Sequence, residues 1–101
     1  MPSSRRVRLT DEAVTDYAAI LQYTLENWGA DQLDRYQVAL DDALNALAMF
    51  PMMGRQRESL AAGLRAQPVG QHVVYYTIVD DEILVRRILH GRANAREDLK
   101  S

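Results

Sequence analysis

Apolar residues in the first half of this chain recur at steps of three and four, whereas in the second half they gather into short, nearly unbroken runs. The first pattern is that of amphipathic helices with one buried stripe, and the second is that of strands covered by another layer. Ala13, Tyr17, Ile20, Leu21, Thr24 and Trp28 form one stripe, with Trp28 read as a core anchor at its end. Thr10 is placed to cap that helix with its side chain, Asp11 and Glu12 match the positive end of the dipole, and Gly29 supplies the stop. Leu33, Tyr36, Leu40, Ala43, Leu44 and Leu47 form a second stripe that Phe50 and Pro51 end. So short a connection predicts an antiparallel helical hairpin. Ahead of it, "RRVRLT" reads as a short strand with Val7 and Leu9 on one side.

Residues 51–63 read as a loop with room for one helical turn. "LRAQPV" then reads as a short strand that Pro68 ends or confines to an edge. "QHVVYYTIV" is β-branched and aromatic throughout, so it reads as a central strand whose pleat sends Tyr75 and Tyr76 to opposite faces. "DDE" at 80–82 makes a tight turn and "ILVRRIL" returns as the second strand of a hairpin. The order β-α-α-β-β-β plus a C-terminal tail predicts an α+β domain of two layers, the helical hairpin lying on one face of a mostly antiparallel sheet. At 101 residues the expectation is one domain spanning 1–101.

Composition changes this picture in a few places. The absence of cysteine removes disulfides, thiol nucleophiles and Cys-ligated metals. No apolar run approaches the ~20 residues of a membrane span, and no apolar segment follows the basic start "MPSSRR" as in a signal peptide. A cytoplasmic chain without membrane contact is expected. A net charge of −2 argues against a general nucleic-acid coat, and no sequence-specific DNA binding is expected. The charge is uneven: residues 1–50 carry four Arg against eight acids, and residues 51–101 carry seven Arg and one Lys against six. Arginine's planar fork suits carboxylate and phosphate pairing, although genomic base composition produces the same bias. Asp31, Asp34, Asp41 and Asp42 read as a solvated helix face.

Candidate chemistry is sparse. His72 and His90 are the only histidines, too few for a metal site without carboxylate help, and no glycine-rich loop cradles a phosphate. Ser3, Ser4, Ser59 and Ser101 lack the setting of an activated nucleophile. No metal or cofactor is therefore expected. One constellation remains: Glu58, Arg65, Arg87 and His90 bind a phosphodiester, with Glu58 or His90 moving protons, provided the sheet brings them together. The alternative is an ordinary solvated sheet face. In the tail "HGRANARED", Gly91 turns the chain off the sheet and Arg92 and Arg96 project toward a partner. Met49, Met52 and Met53 are either gap-fillers or an adaptable contact surface. Arg55 and Arg57 are either a basic contact patch or solubility residues.

Taken in order, "YAAILQYTLENWG", "LAMFPMMGRQR" and "GLRAQPVGQHVVYYTIVDDEILVRRILHGRANA" resemble the ParE toxins of type II toxin–antitoxin modules, within the RelE/ParE superfamily. The resemblance runs from about residue 7 to about 98 and implies the two-layer fold derived above. It also implies a ParD-like antitoxin whose C-terminal segment folds as it wraps the toxin, giving a hetero-oligomer. Activity divides within the superfamily. RelE-like members cleave mRNA on the ribosome, while the characterised ParE-like members mostly inhibit DNA gyrase by stabilising its broken-DNA complex. This chain lacks the lysine-rich loop and the C-terminal tyrosine typical of RelE-like nucleases, and its "RILHGRANA" matches the ParE side. The resemblance thus implies a non-enzymatic gyrase inhibitor; the family motif does not fix its contacts, and Arg65, Arg87, His90, Arg92 and Arg96 are the expected partner-binding residues. A ribosome-dependent mRNA endonuclease using Glu58, Arg65, Arg87 and His90 is the alternative.

Overall fold

Strand β1 (Arg6–Leu9) leads into a hairpin of two helices, α1 (Asp11–Trp28) and α2 (Ala30–Met49). Strands β2 (Arg55–Gln56), β3 (Arg65–Val69), β4 (His72–Val79) and β5 (Glu82–His90) follow, and a short helix α3 (Ala95–Asp98) closes the chain. This computed structural model describes residues 5–100, so Ser3, Ser4 and Ser101 lie outside the described residues. The Thr10 hydroxyl accepts from Ala13 N and caps α1 as expected. Gly29 alone joins the two helices, at φ 88°, where a side chain is costly.

The sheet order is β1-β5-β4-β3-β2. β1 runs parallel to β5, and the other three pairings are antiparallel, as a mostly antiparallel sheet requires. β2 falls inside the stretch expected to be loop. Its two residues are both exposed, so no periodicity marks them, and only pairing with Ala66 and Arg65 makes them a strand. Pro68 sits in β3 past the end of β2, so its missing N–H costs no ladder bond on that side.

Both faces of the sheet are covered. Ala13 and Ile20 of α1 and Leu40 and Leu47 of α2 pack on Val74, Tyr76, Ile83, Val85 and Ile88. On the other face Leu64, Ala66, Tyr75 and Leu89 pack with Leu60 and Ala61 of the preceding loop and Ala95 and Leu99 of the tail. Tyr75 and Tyr76 therefore do point oppositely, and both are buried. A register shift at Tyr75/Tyr76 pairs Tyr75 with Arg87 and Tyr76 with Val85, leaving Arg86 as the extra residue of a bulge. The bulge lets Val85 and Ile88, three residues apart, face the helices together.

Trp28 is not a core anchor: 70% of it is exposed. Ile20 and Thr24 are buried, but beyond them the last turn of α1 borders an open cleft shared with Gln32 and Tyr36 of α2 and the β3–β4 turn. The stripe outruns the layer that would cover it.

A candidate partner-binding surface

The outer edge of β5 loses its neighbour when β1 stops at Leu9, opposite Val85. Helix α1 takes over. The Thr10 hydroxyl donates to Arg86 O at 2.8 Å, and Ile88 N donates to Asp16 Oδ2 at 3.0 Å. The same carboxylate receives Arg87 Nε at 2.7 Å and Nη2 at 3.0 Å, a bidentate fork. Arg87 Nη1 donates to Asp98 O at 2.6 Å, which ties α3 to the same point. The hydrogen bond to Asp16 raises the Arg87 pKa above its usual value despite partial desolvation. Arg87 is thus a fastening between β5, α1 and α3, with little of its fork left for a partner.

At the far end of β5, His90 pairs across the ladder with His72, their rings edge to face at 5.4 Å. Tyr36 of α2 closes over His72, its hydroxyl 2.5 Å from Nδ1, and donates to Val69 O at 3.0 Å. With the Tyr36 hydroxyl proton directed at Val69 O, the Nδ1 contact is a hydrogen bond only in the His72 tautomer that carries its proton on Nδ1 and donates to Tyr36. Burial, then the neighbouring His90, lowers the His72 pKa. Arg92 N donates to His90 Nδ1 at 3.1 Å, so neutral His90 carries its proton on Nε2. Beside this pair lies a cleft of about 420 Å³ lined by Tyr23, Trp28, Gln32, Tyr36, Gln71 and His72, among others.

Arg65 lies elsewhere. It is level with Tyr76, four residues up β4 from the His72–His90 pair, or about 13 Å at strand rise. Its Nη1 donates to Met52 O at 3.1 Å and Gly54 O at 2.7 Å. The Tyr76 hydroxyl accepts from Gly54 N at 2.9 Å and donates to Pro51 O at 2.8 Å. A Cβ on Gly54 would stand 2.5 Å from that hydroxyl, so only glycine fits there. Together these bonds hold the 50–54 segment against the sheet. Its apolar side chains are left outside: Met52 is 67% exposed and Phe50 63%. Of the two readings of the methionines, the contact surface fits and the gap-filler does not.

The expected phosphodiester site does not assemble. Glu58 turns its carboxylate onto Gly63 N, at 3.1 and 3.2 Å. Arg65 grips loop carbonyls, Arg87 grips Asp16, and His90 is at the other end of the ladder from Arg65. Arg92 is exposed after the β5 turn, and Arg96, also exposed, donates to Ser59 O at 3.3 Å. Among the described residues no group of three or more His, Asp or Glu side chains could hold a metal ion. Residues missed by pattern reasoning are Asp16 and the Tyr76 hydroxyl. A polar group on a buried stripe or strand needs a partner, and Tyr76 in an apolar run carried that signal.

The sequence model of a family described as "ParE toxin of type II toxin-antitoxin system, parDE" matches residues 7–95. A relative named Toxin ParE1 from Caulobacter vibrioides is 38% identical over 93 residues, covering 91% of this chain and 95% of that protein. Another Toxin ParE1, from Mycobacterium tuberculosis, is 29% identical over 95% of this chain and 99% of its own length. A chain from a structure titled "Chromosomal ParDE TA system from P. aeruginosa" superposes with TM-score 0.74 at 18% identity, over 86% of this chain and 96% of that one. The superposition establishes the shared fold.

Proposed function

This chain belongs to the ParE toxin family of type II toxin–antitoxin systems, and from that premise we propose that it is the toxin of such a module, inhibits DNA gyrase, and is neutralised by a ParD-like antitoxin. It acts by docking, without breaking bonds and without a cofactor. The dispersal of Glu58, Arg65, Arg87 and His90 carries this choice over mRNA cleavage. General acid–base work needs a group within hydrogen-bond reach of the proton it moves. Here Glu58 is committed to Gly63, Arg65 to Met52 and Gly54, and Arg87 to Asp16, so none of these three is poised with His90.

A docking inhibitor instead needs a stiff body with exposed contact groups, because rigidity limits the entropy lost on binding. The two-sided packing of the sheet supplies the stiffness. His90 at the end of β5, Arg92 just beyond it and Arg96 on α3 stay exposed and are the contact residues of this reading. Among the described residues no helix is long and apolar enough to cross a membrane, which is compatible with a target inside the cytoplasm.

The test is purified chain against purified gyrase. Blocked supercoiling, or accumulation of gyrase-linked DNA breaks, is the expected result, relieved by adding the antitoxin. Unchanged gyrase together with cleavage of translated transcripts, lost in Arg65→Ala and His90→Ala, would replace this reading with the nuclease one.

A further inference from the structure

We propose that residues 49–57, "MFPMMGRQR", form the docking surface for an acidic, amphipathic segment of the antitoxin, an assignment that rests on the toxin–antitoxin reading above. Four large apolar side chains are exposed within five positions: Met49 at 64%, Phe50 at 63%, Met52 at 67% and Met53 at 46%. Together they expose on the order of 450 Å², within the range where the largest apolar patch of a monomer is often functional. This exposure does not come from a loose loop. The polar backbone of the segment is tied inward by the Tyr76 hydroxyl and the Arg65 guanidinium, and a turn bond runs from Met53 N to Phe50 O. The side chains are therefore held outward on a fixed frame, which is the preorganisation that binding rewards. Methionines on that frame adapt their shape to what they meet.

Charge selects the occupant. The segment contains two arginines, the exposed Arg55 and the half-buried Arg57, and no acid. The next residue, Glu58, has its carboxylate on Gly63 N. Exposed apolar side chains followed within a few residues by arginines, with no acid among them, complement a segment that presents apolar and carboxylate side chains together. A nucleic acid would lay phosphates against methionine and phenylalanine, which leaves the apolar area unused. A second copy docking face to face would set two arginine-bearing segments without an acid against each other, which offers no complementary charge.

The experiment titrates the full chain with the ParD-type protein encoded beside it, at low and high salt. The variants are Met52→Ser/Met53→Ser, Arg55→Glu, and Trp28→Ala in the hairpin cleft as a comparison. Melting curves verify that each variant folds. The double methionine variant should weaken binding by about tenfold or more, and Arg55→Glu should weaken it at low salt and flatten its salt dependence. Trp28→Ala should change affinity by less than about twofold, as energetically neutral interface positions do. Binding that survives the methionine and Arg55 changes, or that depends on Trp28 instead, overturns the docking surface and leaves the toxin–antitoxin reading standing. Self-association lost in the methionine variant would assign the patch to a second copy, and gyrase inhibition lost with antitoxin binding intact would assign it to gyrase; either result overturns the proposal. An unmodified chain that fails to bind the antitoxin removes the broader reading and this surface with it.

Discussion

Replacing Asp16 with alanine removes three hydrogen bonds at one point, those from Arg87 Nε, Arg87 Nη2 and Ile88 N. Severing a fully buried ion pair costs about 3–5 kcal/mol. Here the side chains of Arg87 and Asp16 retain 24% and 14% exposure, so water partly solvates the orphaned groups and the cost is lower. The charge-assisted fork contributes about 1.5–3 kcal/mol and the Ile88 N–H about 1 kcal/mol. Alanine's better helix propensity offsets about 0.5 kcal/mol of that. The net loss is about 2–3.5 kcal/mol, which lowers Tm by roughly 10–20 °C in a domain of this size. Asp16→Asn keeps one acceptor for Ile88 N and should lose about half as much. Urea and thermal unfolding followed by far-UV circular dichroism measure both, and a double-mutant cycle with Arg87→Met isolates the pair. A loss below about 0.5 kcal/mol, the scale of an ordinary surface substitution, or a cycle with no coupling, would refute the account of this edge.

Three other substitutions probe the rest of the frame. Tyr76→Phe leaves Gly54 N and Pro51 O without their partner and should cost about 1–3 kcal/mol. Amide hydrogen exchange should speed up across 50–54, and unchanged protection there would contradict the anchoring role. Trp28→Ala should alter stability by no more than about 0.5 kcal/mol, because the side chain is 70% exposed; a core-sized loss would restore the anchor reading. His72 has a folded pKa below its unfolded value through burial and the neighbouring His90. Well above the ordinary histidine value of about 6.5 both states are neutral and the group adds no pH dependence. As pH falls below that, the unfolded chain binds the proton first and stability declines, levelling once the folded state also titrates. His72→Gln, which can still bond Tyr36, should show a shallower decline between neutral and mildly acidic pH, and an identical profile would remove His72 from the explanation.

What the amino-acid pattern reveals here follows from how many neighbours each element needs. The hairpin and the strands β3, β4 and β5 repeat a buried face over enough positions for period and type to be legible. β2 has two exposed residues and α3 four residues with none buried, so neither has a period to detect. Trp28 continues its stripe faithfully, and only the position of the sheet decides that nothing covers it. The site is harder still. Asp16 and Arg87 are 71 residues apart, and the bulge at Tyr75/Tyr76 decides which way Arg87 points. Arg65 carries the same charge as Arg92, yet one pins a loop and the other faces solvent. Charge alone does not separate these roles.

The unbroken apolar run of β4 did contain a demand that the two-layer reading left unanswered. A strand with Tyr75 and Val73 on one side and Tyr76 and Val74 on the other needs cover on both. The hairpin covers only one. The 57–63 stretch and the C-terminal segment supply the rest through Leu60, Ala61, Ala95 and Leu99. Arg92 and Arg96 are therefore placed by the packing of Ala93, Ala95 and Leu99 around them, and Arg96 is further tied to Ser59 O. Their exposed position is a consequence of closing the second face, so a contact role for them in gyrase binding requires that α3 stay docked while the partner binds.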